Sequence, residues 1–160
     1  MQHKSLSIDY TIYNSIQELP NSLQKLLEEA KVALTRAYAP YSNFSVGAAL
    51  LLENGEIITG NNQENAAYPL GLCAERVAIF AAGSQYPDIP IQKLAITVKS
   101  ANQVLSTPIA PCGGCRQVIA ESEYRFDTPI QIILQGETGR VFVFESIQTL
   151  LPFSFDGSFL

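Results

Sequence analysis

All three cysteines of the chain fall in two short clusters, and each cluster leads directly into a helical pattern. Cys73 is followed by Ala74 and Glu75, and further along the chain Cys112 and Cys115 form a Cys-x-x-Cys pair. Three thiolates leave one position of a tetrahedral Zn²⁺ open, which distinguishes a catalytic zinc site from a structural one. Glu75 is a poor fourth ligand beside thiolates and is better suited to carrying protons next to the metal. The pattern therefore predicts a zinc-dependent hydrolase.

Three other uses of the cysteines are possible. A thioredoxin-type redox pair would also use a Cys-x-x-Cys, but its usual context is just after the first strand of a βαβ pattern. A structural zinc site needs a fourth ligand, and the lone histidine, His3, is a poor one because it lies in the first few residues of the chain. Buried, inert cysteines are common as single residues. Three cysteines at helix starts, with a glutamate beside one of them, favour the catalytic zinc site.

The helix starts suit a thiolate-rich metal site. Three thiolates carry more negative charge than Zn²⁺ neutralises, and a helix N-terminus adds positive potential and lowers the pKa of nearby cysteines. Arg76 and Arg116 each follow a cysteine cluster and could donate hydrogen bonds to the sulfur atoms. A surface salt bridge is the alternative for each arginine. The sequence favours the sulfur contact for Arg76 and leaves Arg116 open.

Composition limits the classes of partner. A chain of 160 residues suits one domain, and its net charge of −5 argues against binding a nucleic-acid backbone, which needs a basic face. Charged residues make up 16 %, below the roughly 25 % of a typical soluble domain, which suggests that other subunits cover part of the surface. No apolar run approaches the ~20 residues of a membrane span. The first residues show no secretory signal, and unpaired cysteines fit a reducing compartment, so we expect a cytoplasmic protein.

Residue patterns along the chain predict a layered α/β domain with a mixed sheet of about five strands. Alternating apolar residues between positions 6 and 12 give a weak strand signal, and Asn54-Gly55 indicates a hairpin turn. We expect helices at 21–37, 73–82 and 112–121, strands at 44–52, 56–59, 93–99, 130–134 and 141–144, and a short helix at 145–151.

Four segments together resemble one family, the small zinc-dependent cytidine deaminases. They are YAPYSNFSVGAALL from Tyr38, GNNQENAAYPLGLCAERVAIF, PCGGCRQVIAES and the terminal LLPFSF, which span most of the chain from Tyr38 to Phe155. The first helix matches only in position. Residues 1–20 do not match and are expected to be an N-terminal extension, with residues 21–160 as a single deaminase domain.

The resemblance implies the metal ligands and the reaction. Cys73, Cys112 and Cys115 would bind one Zn²⁺ per subunit, and Glu75 would shuttle protons. The reaction would be the hydrolytic deamination of cytidine and deoxycytidine to uridine and deoxyuridine, with release of ammonia, as in pyrimidine salvage. The implied substrate is a small nucleoside, with no role for nucleic acid or a membrane.

The resemblance also implies a set of substrate-binding residues. Asn62 and Glu64 would hydrogen-bond the ribose hydroxyls, and Phe44 would pack against the pyrimidine ring. Ala74 and Phe155 complete the set, and Phe155 would come from a neighbouring subunit. By sequence alone, turn chemistry explains the segment from Asn62 equally well, and core packing at a strand start explains Phe44.

The family further implies a three-layer α/β/α fold and a homotetramer whose active sites are shared between subunits. The apolar tail, which ends in Phe159 and Leu160, is compatible either with such an interface or with packing onto its own core. Two other functions remain open. One is an aminonucleoside deaminase of the blasticidin S type, which would share the zinc motifs. The other is an inactive nucleoside-binding protein, although such a protein would have no use for the Glu75 carboxylate.

Overall fold

A mixed six-stranded sheet forms the middle layer of the computed structural model, which describes residues 1–160. The strand order is β1-β6-β5-β4-β2-β3, and only the β4–β5 pair is parallel. The strands are β1 (Thr11–Tyr13), β2 (Phe44–Leu52), β3 (Ile57–Asn61), β4 (Ile91–Ser100), β5 (Gln131–Gln135) and β6 (Val141–Phe144).

The expectation of about five strands is corrected to six. The additional strand is β1, which lies within the segment 1–20 and pairs antiparallel with β6. Tyr10, just before β1, stacks on Phe144 with ring centroids 5.1 Å apart. Part of the expected N-terminal extension therefore belongs to the sheet. The strand is short and mostly exposed, so the alternating pattern that marks it is weak.

Three helices cover the two faces of the sheet, which gives the expected three-layer α/β/α architecture. They are α1 (Asn21–Leu34), α2 (Ala74–Gln85) and α3 (Gly113–Phe126). Along β2, the buried Ala48 and Leu50 face the cluster that includes α2 and α3. Ala49, between them, faces the cluster that includes α1. This alternation is the two-residue period of a strand buried on both sides. None of the helices is both long and apolar enough to cross a membrane.

The local predictions agree with most of these elements. Asn54 and Gly55 form the turn between β2 and β3, and Gly55 adopts the positive φ of +87° that such a turn requires. Helix α1 ends sooner than expected, whereas α2 and α3 continue for about one turn beyond the predicted ends. The helix expected over 145–151 is only a short 3₁₀ turn, Ile147–Thr149.

The topology brings the two cysteine clusters together. Helix α2 follows β3 through the loop 62–73, and α3 connects the parallel neighbours β4 and β5. Both helices lie on the same face of the sheet and contact each other. Cys73 immediately precedes α2, and Cys112 immediately precedes α3. The N-termini of both helices therefore converge on one site.

Candidate active site

The three cysteine sulfur atoms form a compact group at the two helix N-termini. All three lie within 4.8 Å of one another, and the sulfur atoms of Cys73 and Cys112 are 3.8 Å apart. That separation is too long for a disulfide, whose bond is about 2.05 Å. It matches the ~3.8 Å edge of a tetrahedron with Zn–S bonds of about 2.3 Å. The donor set therefore fits one Zn²⁺ per subunit. His3 is exposed and does not belong to the group.

Neighbouring groups shift the acidity of two of these thiols. The pKa of Cys73 is lowered to about 5, first by a hydrogen bond with Cys115 and further by Arg76. The pKa of Cys115 is raised, first by the same contact with Cys73 and then by burial. The Cys115 thiol must therefore lose its proton before a metal ion can bind both sulfur atoms.

The two arginines that follow the clusters have different partners. The Nη2 atom of Arg76 lies 3.6 Å from the Cys73 sulfur and 3.4 Å from the Gly71 carbonyl oxygen. Arg116 instead donates to the carbonyl oxygens of Pro111, at 2.8 Å, and Leu150, at 2.9 Å. Arg116, whose partner the sequence left open, therefore binds backbone carbonyls and joins the loop before α3 to the C-terminal segment. Arg76 is the arginine beside a thiolate.

Glu75 is a buried carboxylate beside the metal group, which is formed by Cys73, Cys112 and Cys115. It lies in the first turn of α2, is 4 % exposed, and lines the same cavity as Cys73 and Cys112. Burial raises the pKa of Glu75, because desolvation disfavours the charged form. A carboxylate with raised proton affinity next to a metal site can both accept and return a proton at moderate pH.

The cavity in front of the metal group has a volume of about 560 Å³. This lies in the range of pockets that hold small molecules, roughly 300–1,000 Å³. Phe44, Asn62 and Glu64 all line it, so the structure brings these predicted site residues together with Glu75. Much of the remaining wall is apolar, formed by Val46, Leu72, Ile96, Val98, Ile109 and Ala110. Such a cavity can enclose a flat ring and exclude water from it.

Asn62 is held against strand β2 by its side chain. Its Oδ1 atom accepts from the Val46 N–H at 2.8 Å, and its Nδ2 atom donates to the Phe44 carbonyl oxygen at 2.9 Å. An amide group has two donor hydrogens and two acceptor lone pairs. One N–H and one lone pair therefore stay available for a ligand. The side chain fixes the start of β2 as well as facing the cavity.

The carboxylate of Glu64 binds the turn that leads into β2. Its Oε2 atom accepts from the backbone N–H groups of Tyr41, at 2.9 Å, and Ser42, at 3.3 Å, while Oε1 accepts from the Ser42 hydroxyl. These bonds, that of the Ser42 side chain first, lower the pKa of Glu64. The carboxylate is therefore charged and oriented before any ligand arrives.

The remaining two predicted residues do not expose a side chain to this cavity within the subunit. Ala74 is fully buried, so only its backbone N–H, unpaired within α2 as in any first helical turn, could serve a ligand. Phe155 is 59 % exposed and stacks on Phe159, with ring centroids 5.7 Å apart. Its carbonyl oxygen accepts from Gln117 on α3. Phe155 thus lies on the outside of its own subunit.

Three polar cavity residues were not singled out from the sequence. Ser42, Gln63 and Tyr68 all line the cavity, and Tyr68 is largely exposed at its rim. Ser42 lies within the motif that carries the family resemblance, and its position two residues before Phe44 is the only local signal. Its contact with Glu64 joins positions 22 residues apart, which no local pattern indicates.

Comparison with known proteins agrees with this geometry. Residues 20–126 match the model of the cytidine and deoxycytidylate deaminase zinc-binding region. The chain is 44 % identical over 133 residues to a cytidine deaminase of Halalkalibacterium halodurans, which covers 82 % of this chain and 92 % of that protein. A cytidine deaminase of Sporosarcina psychrophila is 48 % identical over 99 residues, or 62 % of this chain and 68 % of that protein.

Solved structures give the same result. The crystal structure of a cytidine deaminase from Burkholderia pseudomallei superposes with a TM-score of 0.72 at 40 % identity, covering 86 % of this chain and all (100 %) of that one. The cytidine deaminase from Mycobacterium tuberculosis gives a TM-score of 0.64 at 31 % identity, covering 85 % of this chain and 98 % of that one. By its sequence, its fold and its three-cysteine site, the chain belongs to the zinc-binding cytidine and deoxycytidylate deaminase family.

Proposed function

We propose that this chain catalyses the zinc-dependent hydrolytic deamination of cytidine and deoxycytidine to uridine and deoxyuridine, with release of ammonia. One observation carries the proposal: a buried carboxylate, Glu75, opens into the same cavity as the three-thiolate metal group. A structural zinc site has no use for such a carboxylate, whereas a hydrolase needs a proton carrier there.

The chemistry is divided between the metal and the protein. Bound Zn²⁺ would lower the pKa of a water molecule and so supply a nucleophile at neutral pH. Glu75 would accept a proton from that water and deliver it to N3 of the cytosine ring, which makes C4 more electrophilic. The hydroxide left behind would add to C4, and Glu75 would then move the proton of that new hydroxyl group to the exocyclic nitrogen, so that the C4–N bond breaks, ammonia leaves and a carbonyl remains at C4. One carboxylate thus acts first as base and then as acid, which its raised pKa favours.

The substrate-binding roles are part of the proposal. Phe44 would pack against the pyrimidine ring, and Asn62 and Glu64 would bind the sugar hydroxyls with their unused hydrogen-bonding positions. Ala74 would contribute a backbone N–H at the start of α2. The cavity contains no lysine, and Arg76, its only basic residue, lies against the Cys73 sulfur and the Gly71 carbonyl. A neutral nucleoside therefore fits better than a nucleotide or a nucleic-acid strand, which needs a basic groove.

We also propose a homotetramer in which Phe155 of each subunit completes the active site of a neighbour. The tail supports this, because Phe153, Phe155 and Phe159 are 91 %, 59 % and 69 % exposed in the isolated subunit. Large apolar side chains grouped in this way usually mark an interface. A cytoplasmic location is supported by the three cysteines, which are all free thiols.

Turnover of cytidine and of free cytosine tests the proposal. If Asn62 and Glu64 bind the sugar, purified zinc-loaded protein should release ammonia from cytidine far faster than from cytosine, because remote binding energy assists the reacting centre. Glu64→Ala should reduce cytidine turnover and narrow that difference. Glu56→Ala, which removes an exposed carboxylate of the β2–β3 hairpin, is the control and should change neither. Equal rates on both substrates in the parent protein would contradict the sugar-binding roles of Asn62 and Glu64. If neither substrate released ammonia, the proposed reaction would be contradicted.

A further inference from the structure

The turn between Tyr41 and Phe44 is attached to Glu64 by three hydrogen bonds. Two backbone N–H groups, those of Tyr41 and Ser42, donate to Oε2 of Glu64, and the Ser42 hydroxyl contacts Oε1. Asn43, inside the turn, has a φ of +54°, in the left-handed region that a tight turn uses. The proposed sugar-binding carboxylate and the ring-packing phenylalanine thus belong to one bonded unit.

The proton of the Ser42 hydroxyl has a defined direction. Its oxygen accepts a hydrogen bond from the Phe44 backbone N–H at 3.1 Å. A serine hydroxyl has a single proton to donate, and Oε1 of Glu64 is the acceptor that it contacts. Ser42 therefore accepts from the first residue of β2 and donates to Glu64, which links the two residues through one oxygen atom.

The carboxylate of Glu64 has one lone-pair position left for a ligand. A carboxylate has about four lone-pair positions, two on each oxygen. The two backbone donors occupy Oε2, so the remaining position is on Oε1, beside Ser42. A sugar hydroxyl that binds Glu64 without breaking the turn must therefore share Oε1 with Ser42.

We propose that Ser42 is a positioning residue that orients Oε1 of Glu64 toward a sugar hydroxyl and so determines the preference for nucleosides that carry one. The inference rests on the proposed function, because it takes Glu64 as the sugar contact. Without the hydroxyl of Ser42, Oε1 loses its only protein donor and can rotate away from the sugar. The loss should fall on substrate binding, since Ser42 touches neither the metal group nor Glu75.

The test compares cytidine with 2′,3′-dideoxycytidine, which lacks both hydroxyls on the sugar ring's carbons 2′ and 3′. In Ser42→Ala, the ratio of kcat/KM for cytidine to that for the dideoxy analogue should fall by about fivefold or more, roughly the effect of one hydrogen bond. The change should appear in KM for cytidine, with kcat nearly constant. Ser42→Thr, which keeps the hydroxyl, should restore most of the ratio.

Ser100→Ala is the matched control. Ser100 lies opposite Phe44 in the β2–β4 register, and its hydroxyl likewise accepts from an N–H two residues later, at 3.2 Å, but it does not contact Glu64. Its substitution should leave the ratio unchanged. In a Glu64→Ala background, Ser42→Ala should have no further effect on the ratio, because Ser42 acts through Glu64. An equal loss in both backgrounds would overturn the proposal.

Uridine binding, measured by calorimetry on the zinc-loaded protein, separates this inference from the proposed reaction. Weaker uridine binding by Ser42→Ala, in a protein that does not turn over cytidine, would support the role of Ser42 and remove the reaction. Normal turnover, with ratio and uridine affinity within about twofold of the parent in Ser42→Ala, would overturn the role of Ser42 alone, since one hydrogen bond should exceed that. A parent protein that neither turns over cytidine nor binds uridine would overturn both.

Discussion

Three acidic side chains with shifted pKa values lie together at the N-termini of α2 and α3. The pKa of Cys73 is lowered to about 5, whereas those of Cys115 and Glu75 are raised. Burial is the first cause for Glu75, and the thiol–thiol contact is the first cause for both cysteines. At the scale of the residue, Cys115 must give up its proton when a metal ion binds the three sulfur atoms, whereas the raised pKa of Glu75 suits it to accept and return protons.

Replacing the carboxylate should stop the reaction without emptying the metal site. Glu75→Gln keeps the size of the side chain and all three thiolates but cannot carry a proton. We expect kcat for cytidine to fall by at least ~10²-fold, the lower end for general acid–base catalysis. Steady-state kinetics together with zinc analysis of the same sample measure both quantities.

Cys112→Ala provides the contrast for that experiment, because it removes a ligand and leaves Glu75 in place. This variant should lose zinc and some stability along with activity. Near-normal turnover in fully metal-loaded Glu75→Gln would falsify the role of Glu75.

At the scale of the element, β3 and α2 approach each other unusually closely at Gly60. A Cβ atom at Gly60 would lie 2.4 Å from the Ala74 carbonyl oxygen and 2.6 Å from the Ala78 nitrogen, both in the backbone of α2. Cys73 and Glu75 flank Ala74 in the chain. The position of the end of α2 that carries Cys73 and Glu75 therefore depends on the absence of a side chain at one residue of β3.

Gly60→Ala should push α2 away from the sheet. We expect a loss of unfolding free energy of about 1–3 kcal/mol, the usual cost of overpacking, and a lower zinc content, because Cys73 would move relative to Cys112. Chemical denaturation and metal analysis give the two values. Gly83→Ala is the control, since nothing lies within 4 Å of a Cβ there. In a helix this exchange should stabilise by roughly 0.5–1 kcal/mol. Equal stability and zinc content in Gly60→Ala and the parent would contradict the close-packing argument.

At the scale of the whole molecule, the subunit has few charged residues and an exposed apolar tail. Only 16 % of the residues are charged, while Phe153 and Leu160 at the C-terminus are almost completely exposed in the isolated subunit. Such a tail is expected to be covered in solution by something other than its own core. The proposed homotetramer provides that cover.

Deletion of residues 153–160 should weaken assembly and raise KM for cytidine, while the remaining protein keeps its zinc, because no cysteine lies in the tail. Sedimentation velocity and steady-state kinetics measure the two effects. Phe155→Ala should raise KM, whereas Phe153→Ala should leave KM near the parent value, since only Phe155 is proposed to reach a neighbour's substrate. A truncated protein with the parent's sedimentation coefficient and KM would show that the tail has no part in assembly or in the site.

Short-range chemistry sets the features of this protein that can be predicted from the residue order alone. The spacing of Cys112 and Cys115, the glutamate two residues after Cys73, the Asn54-Gly55 turn and the alternation along the buried strands were all readable, because each depends on residues close together in the chain. The motifs around these residues were also sufficient to indicate the family and the zinc site.

Other features were decided only by the tertiary structure, because they join segments that are distant in the chain. The contact of Cys73 with Cys112 spans 39 residues, and the pairing of β1 with β6 spans more than a hundred positions. Arg116 could not be assigned before its acceptors, the carbonyl oxygens of Pro111 and Leu150, were known. The bond between Ser42 and Glu64 likewise exists only because the sheet places the start of β2 beside the loop that follows β3. The sequence gives the type of each side chain, but its contact partners depend on which distant segments the fold brings together.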